Sequence, residues 1–141
     1  MKSQLATLIE QGDLRFIYQH RLVTGAPDSG TAAEAVECAG EQGKFWPFHD
    51  KLFTNQRLPS GFTKNNLNVF AKDLGLNTEA FSSCLDSRKH SAKVTRQDAD
   101  AIRLGVKATP TFSLNGKMIE GLPSGDGLLK LVQDAVNKAA K

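Results

Sequence analysis

Residues 105–116, GVKATPTFSLNG, contain the clearest indication of the fold. Its second half includes Thr111 and Phe112, residue types that favour strands, so residues 110–114 are predicted to be a strand. Asn115-Gly116 predicts a two-residue hairpin turn, because both residues accept the positive φ that such a turn requires. Residues 117–120 then form the returning strand, and the apolar spacing of the following segment predicts a closing helix to about residue 139.

Upstream of this hairpin the sequence predicts one strand among helices. Residues 14–20, LRFIYQH, are aromatic and β-branched and predict a strand, preceded by a helix that ends near Gly12. Four or five helical segments follow before residue 105. The first has a capping box formed by Thr31 and Glu34, a later one begins at Thr63, and a short one is capped by Asn77 or Thr78. The order helix, strand, helices, hairpin, helix predicts an α/β fold in which the helices are an insertion.

The composition is that of one ordinary folded domain. The chain has 141 residues, of which 40% are hydrophobic and 23% are charged, so it can bury a core. The net charge of +3 is spread along the chain without a basic block, which argues against nucleic acid as a partner. No apolar run approaches 18 residues, and the first ten residues lack the apolar region of a signal peptide. We therefore expect no membrane span, no export signal within this sequence and no cofactor.

The two cysteines, Cys38 and Cys84, are 46 positions apart and cannot form a Cys-x-x-Cys redox pair. One interpretation is a pair of buried thiols that act as small apolar side chains, and the other is a structural disulfide. A zinc site is not expected, because it needs four ligands and His20, His49 and His90 are scattered along the chain. We therefore predict no metal site.

Four segments resemble DsbA-like proteins of thioredoxin fold, in the same order and at similar spacing. Residues 105–116 resemble the family stretch GV.GTPTF.vNG, and residues 14–20 resemble its vRFvyrh strand. Residues 32–53, AAEAVECAGEQGKFWPFHDKLF, resemble AAecAgeqGkFWeyHdaLF, and residues 81–87, FSSCLDS, resemble F..CLdsg. The resemblance covers nearly the whole chain and implies a thioredoxin-like α/β fold with a helical insertion.

The resemblance also implies the domain organisation and a departure from it. Residues 1–141 would be one domain, with a thioredoxin core formed by residues 1–24 and 105–141 and a helical insertion formed by residues 25–104. Family members normally begin with a strand and a Cys-x-x-Cys loop before the first helix, whereas this chain starts within that helix, so the first strand is missing. Neither Cys38 nor Cys84 can replace the redox pair, because each lies well inside a predicted helix. We thus expect no catalytic residue and no insulin reduction by this chain.

Thr109 and Pro110 are the substrate-binding residues that the resemblance implies. In the family this proline is cis, although trans is the default for such bonds, and its loop offers the backbone groups of Thr109 to an extended substrate. Relatives that resemble this sequence often carry cysteines at the positions of Cys38 and Cys84. The two are therefore expected to be neighbours, joined by a disulfide if the protein is oxidised.

Aromatic residues and histidines are interpreted as structural. Phe45, Trp46 and Phe48 recur at helical spacing, which favours core packing over the lining of a peptide groove. His20 and His49 are expected to be hydrogen-bonded core or surface histidines, since no nucleophile is present for them to activate.

Three functions stay open. The chain can be a truncated DsbA-family thiol-disulfide oxidoreductase domain that is redox-inactive as written, a non-catalytic module that binds extended peptide or protein, or a subunit whose missing strand comes from a partner. In the family that strand lies between the segments at residues 14–20 and 110–114. We therefore expect a homodimer that completes the sheet, with direct pairing of these two segments as the alternative. The family is mostly periplasmic or exported, and the compartment of this chain stays open.

Overall fold

The computed structural model describes residues 2–23, 28–57, 61–124 and 126–139. Its elements, in chain order, are α1 (Lys2–Glu10), α2 (Ser29–Glu41), α3 (Phe45–Thr54), α4 (Lys64–Asp73), α5 (Thr78–Asp86), α6 (Ser91–Arg103), β1 (Thr111–Leu114), β2 (Lys117–Glu120) and α7 (Gly127–Ala139). They divide between two compact units, Met1–Gln19 with Gly105–Lys141 (the hairpin unit) and His20–Leu104 (the helical unit). The boundary predicted between residues 24 and 25 lies outside the described residues. None of the described helices combines the length and the apolar character needed to cross a membrane.

The helical unit packs four helices against the alanine-rich helix α2, which contacts α3, α4, α5 and α6. Small side chains such as Ala35 and Ala39, both fully buried, let neighbouring helices approach α2 closely, and the rings of Phe48 and Phe81 fill the space between them. The buried core residues are Ala32, Ala35, Val36, Cys38, Ala39, Phe48, Leu52, Leu67, Phe70, Ala71, Leu76, Phe81, Cys84 and Leu85. Because α2 is central, its polar side chains must find partners inside the protein.

Two predicted helix starts are confirmed, and both have a side-chain cap. The hydroxyl of Thr63 accepts a hydrogen bond from the Asn66 amide at 3.3 Å, at the start of α4. The side-chain oxygen of Asn77 accepts one from the Ala80 amide at 2.9 Å, at the start of α5. Each cap satisfies an amide that has no partner within its helix, which is why these residue types mark helix starts.

The capping box predicted for Thr31 and Glu34 is wrong. Helix α2 begins earlier, at Ser29, with Asp28 as its N-cap, so Thr31 and Glu34 lie within the helix. The buried carboxylate of Glu34 accepts a hydrogen bond of 2.8 Å from the Arg88 guanidinium, which lies 54 residues further along the chain. Because a buried carboxylate needs a charged or strongly hydrogen-bonding partner, this long-range pair replaces the local cap.

The hairpin unit combines α1, α7 and an antiparallel pair of strands. Thr111 lies opposite Glu120, and the turn residues Asn115 and Gly116 have φ of 48° and 86°, as the predicted two-residue turn requires. Its buried residues are Leu5, Leu8, Leu128 and Val132, and the partly buried Ile9, Leu14, Phe16, Phe112, Leu114, Leu129 and Val136 pack against them. One face of the hairpin is therefore held against the helices of this unit.

The strand predicted for residues 14–20 is not formed in the described part of the chain. Its side chains alternate as in a strand, with Leu14, Phe16 and Tyr18 partly buried and the residues between them exposed. Among the described residues, however, β1 pairs with β2 alone, and residues 14–20 join no ladder. The alternation records which face is buried, whereas a strand also needs a neighbouring strand for its backbone hydrogen bonds. Direct pairing of this segment with residues 110–114 is likewise not found within the described ranges.

Candidate functional site

Thr109 and Pro110, the residues predicted to bind substrate, lie in the bend that leads into β1. Both are exposed, and the peptide bond between them is cis. The Thr111 hydroxyl donates to the Ala108 carbonyl at 2.7 Å, and the Gly121 amide donates to the Pro110 carbonyl at 2.8 Å. The bend is therefore fixed to the hairpin while Thr109 stays accessible.

The backbone of β1 has one paired edge and one open edge. In a hairpin with a two-residue turn, the residues that flank the turn exchange backbone hydrogen bonds, and every second residue away from it does the same. Every second residue from Leu114 back to Pro110 is therefore directed towards β2. Thr111 and Ser113 direct their amides and carbonyls to the opposite edge, where the described residues supply no backbone partner, and Thr109 precedes them in the exposed bend. Thr111 and Ser113 form the open edge of β1, and an edge of this kind accepts an extended chain.

Cys38 in α2 and Cys84 in α5 form a disulfide, with their Cα atoms 5.9 Å apart. This is the pairing that the family resemblance implies, and it excludes free thiols at these positions in the oxidised chain. Cys38 is 1% exposed and Cys84 is 7% exposed, so the bond lies inside the core of the helical unit. In this state the disulfide is a buried crosslink between two helices.

A histidine lies beside this disulfide. A ring nitrogen of His90 lies within 4.8 Å of the sulfur atoms of Cys38 and Cys84. The Nε2 atom of His90 lies 2.8 Å from Oε1 of Glu41, and Nζ of Lys89 lies 2.8 Å from the same oxygen. The hydrogen bonds from Lys89 and then from His90 hold the pKa of Glu41 below its usual value. The histidines are scattered along the sequence, but the short turn between α5 and α6 places His90 at the N-cap of α6, beside the disulfide.

A second buried polar group centres on Glu37 of α2. Its Oε1 lies 3.0 Å from Nε2 of His20, and its Oε2 lies 2.5 Å from Nζ of Lys93. Burial lowers the pKa of His20, and the hydrogen bond with Glu37 opposes this effect. Burial alone would raise the pKa of Glu37, but the hydrogen bonds and charges of Lys93 and His20 outweigh it and lower the pKa. Glu37 is thus an ionised carboxylate, and its hydrogen bonds connect α2 to His20 and to Lys93 of α6. His20 is a hydrogen-bonded core histidine, as predicted.

Residues 1–134 match a protein-family model described as thioredoxin. The chain belongs to the thioredoxin family. This match confirms the thioredoxin-like fold and the α/β class that the sequence predicts. It runs from α1 into α7, so it includes the whole helical unit and most of the hairpin unit.

Curated relatives of this thioredoxin-family chain are similar over most of its length. The Na(+)/H(+) antiporter NhaA of Herminiimonas arsenicoxydans is 38% identical over 109 residues, which are 77% of this chain and 17% of the relative. The Na(+)/H(+) antiporter NhaA 3 of Salinispora tropica is 33% identical over 134 residues, or 94% of this chain and 20% of the relative. The Na(+)/H(+) antiporter NhaA 1 of Mycolicibacterium gilvum is 33% identical over 128 residues, which are 86% of this chain and 20% of the relative. The chain therefore spans about one fifth of the length of these relatives.

The aromatic residues of α3 in this thioredoxin-family chain divide between core and surface. Phe48 is fully buried, as predicted, and Phe45 is partly buried and packs against the core. The rings of Trp46 and Phe53 lie 5.4 Å and 4.6 Å from the ring of His49, and Phe53 is 55% exposed. The core interpretation therefore holds for Phe48 and in part for Phe45 and Trp46, which are half-buried, while Phe53 lies at the surface of the helix.

Proposed function

We propose that this chain is the polypeptide-binding part of a DsbA-type thiol-disulfide oxidoreductase domain. The observation that carries the proposal is the open edge of β1 beside the exposed bend at Thr109 and Pro110. The four segments that resemble DsbA-like proteins include this bend, and they support the finer assignment within the thioredoxin family.

An extended polypeptide binds such an edge by adding a strand to the hairpin. Its backbone would donate to and accept from Thr111 and Ser113, which present amides and carbonyls at every second position, and from Thr109 in the bend before them. Bonds of this kind involve the backbone of the bound chain and do not depend on its side chains. The edge is therefore suited to substrates of many sequences, as long as they are extended.

The chemical step of a DsbA-type domain is thiol–disulfide exchange, in which a thiolate attacks a disulfide sulfur and a second thiolate leaves. The 141 residues contain only Cys38 and Cys84, which are bonded to each other inside the helical unit. In the proposed DsbA-type domain, thiol–disulfide exchange would therefore use a cysteine pair outside these 141 residues. The chain by itself is therefore proposed to bind polypeptide without accelerating insulin reduction.

Proline at position 113 is expected to weaken polypeptide binding about tenfold. Ser113→Pro removes one amide from the open edge and leaves the hydrogen bonds between β1 and β2 in place, because those involve the alternate residues. A bound chain then has a carbonyl without a partner, which costs about 1–3 kcal/mol. The measurement is fluorescence anisotropy of a labelled, reduced and alkylated insulin B chain.

The matched control for this prediction is Ser113→Ala, which retains the amide and should bind like the unsubstituted chain. Circular dichroism verifies that both variants are folded. Equal binding by Ser113→Pro and Ser113→Ala would exclude the open edge as the binding surface.

The same edge is the proposed contact of a homodimer, so light scattering is run in parallel. A mass near twice 15.3 kDa that falls to 15.3 kDa in Ser113→Pro supports the dimer, and a monomer in both cases excludes it.

A second candidate function follows from the relatives, because the matched segment is about one fifth of proteins that are called Na(+)/H(+) antiporters. We propose that a thioredoxin-family domain of this kind acts together with such an antiporter. The test replaces the matched segment of the Herminiimonas arsenicoxydans antiporter with this chain and measures sodium-driven proton exchange in everted membrane vesicles. Exchange at a rate similar to the parent is expected, and an unrelated domain of equal length is the control. Equal rates with either insert would exclude a specific role for the thioredoxin-family domain.

A further inference from the structure

Two sulfur atoms and an imidazole nitrogen converge inside the helical unit. The sulfurs of Cys38 and Cys84 and a ring nitrogen of His90 all lie within 4.8 Å of one another. They come from three different elements, α2, α5 and the N-cap of α6, so the fold rather than a local sequence motif brings them together. In the oxidised chain the two sulfurs are bonded to each other and cannot act as thiolate ligands.

We propose that reduction of the Cys38–Cys84 disulfide creates a zinc site with Cys38, Cys84 and His90 as its protein ligands. A dithiol supplies the two electrons and two protons of the reduction, and it becomes a disulfide while the protein disulfide becomes two thiols. Zn²⁺ then displaces one proton from each thiol and binds two thiolates and the neutral imidazole. The disulfide and the metal site therefore exclude each other.

The ligand set and its spacing fit zinc. Two thiolates and one imidazole are borderline-soft donors that Zn²⁺ binds in tetrahedral sites. Zn–S bonds of about 2.3 Å and Zn–N bonds of about 2.0 Å separate the ligand atoms of such a site by about 3.5–4 Å. The three atoms already lie within 4.8 Å of one another, which is close to this spacing. Four protein ligands are not required, because Zn²⁺ also binds three protein ligands with water in the fourth position.

The surroundings of His90 also match those of a metal ligand. Histidines that bind zinc are commonly hydrogen-bonded to a carboxylate, which orients the ring and raises its basicity. Glu41 has this position when Zn²⁺ is bound through Nδ1, because its Oε1 lies 2.8 Å from Nε2 of His90. Lys89 bonds to the same carboxylate and holds it in place.

The proposed site would replace one crosslink by another. The disulfide joins α2 to α5, and a zinc ion bound by Cys38, Cys84 and His90 would join the same two helices and the start of α6. The helical unit would then keep a crosslink under oxidising conditions and, where zinc is present, under reducing conditions.

The test uses the full chain, reduced with dithiothreitol, desalted without oxygen and titrated with Zn²⁺ or Co²⁺. We expect one Zn²⁺ per chain, release of two protons, and a higher melting temperature of the reduced protein with zinc than without it. Co²⁺ should give a thiolate-to-cobalt charge-transfer band and the visible bands of a tetrahedral complex. His90→Ala is expected to weaken Zn²⁺ binding at least tenfold, and Glu41→Gln about tenfold.

His90→Ala is the decisive variant, because it retains both cysteines and its folding is verified in the oxidised form. His49→Ala, on α3 and outside the site, is the matched control and should bind Zn²⁺ like the unsubstituted chain. The proposal is overturned if the reduced chain binds no Zn²⁺, if His90→Ala binds it as tightly as the unsubstituted chain, or if the oxidised chain binds it equally well. Folding of an unfolded reduced chain on addition of Zn²⁺ would also support the site.

Discussion

Replacing both Cys38 and Cys84 with alanine is expected to lower the free energy of unfolding by about 4 kcal/mol. The disulfide closes a loop of 46 residues, and the chain-entropy model assigns about this value to a loop of that length, because the crosslink restricts the unfolded chain. For a unit of this size the loss corresponds to a melting temperature lower by about 15–30 °C. Thermal unfolding followed by circular dichroism at 222 nm measures the change.

Reduction of the unsubstituted chain in the presence of a metal chelator is the control for this prediction. It breaks the crosslink and keeps both sulfur atoms in the core, so it separates the effect of the crosslink from the effect of lost packing. The reduced chain and the double alanine variant should melt within a few degrees of each other. A loss below about 1 kcal/mol in both would mean that the unfolded chain is already compact around this loop.

Local sequence patterns predict the parts of this fold that depend on local hydrogen bonds. The hairpin turn at Asn115-Gly116 and the caps at Thr63 and Asn77 involve residues within three or four positions of one another. The preferred conformation of each residue type is sufficient to specify them. These elements are present where the sequence predicts them.

Features that depend on distant residues could not be predicted in this way. Glu34 fits the pattern of a capping box, but its partner is Arg88, and no local pattern ranks one partner above the other. His90 is only six positions after Cys84, yet its approach to Cys38 depends on how α5 and α6 pack against α2. The same holds for the segment at residues 14–20, whose alternation gives its buried face but not a pairing strand.

The candidate site also combines features that the sequence indicates with features that depend on the folded structure. The substrate-binding residues Thr109 and Pro110 are implied by a sequence resemblance, and their role stays a proposal. The open edge beside them follows from the register of the hairpin, which fixes the backbone groups that are turned away from β2. The group formed by His20, Glu37 and Lys93 had no sequence signal, since its members lie on three separate segments and each residue type is common on protein surfaces.

Phe48→Ala is expected to destabilise the helical unit by about 3–5 kcal/mol. Phe48 has no exposed surface, and its ring lies 5.3 Å from the ring of Phe81 and 6.4 Å from that of Phe70. Truncation removes the buried ring and leaves a cavity between helices that are already closely packed on the small residues of α2, so the site cannot collapse to fill it. Urea unfolding at equilibrium gives the change in the free energy of unfolding.

Phe53→Ala is the matched control, because it makes the same chemical change on the same helix. Phe53 is 55% exposed, and its ring contact is with His49 at the surface, so its loss should cost less than about 1 kcal/mol. The difference between the two variants measures burial alone, since helix propensity changes equally in both. A similar decrease in the free energy of unfolding in the two variants would contradict the assignment of Phe48 alone to the core. It would mean that Phe53 is buried as well. A large loss for Phe48 only would support packing of α3 through its contacts with α2 and α4 and through the ring of Phe81 on α5. The Cys38–Cys84 crosslink joins two of these helices, α2 and α5.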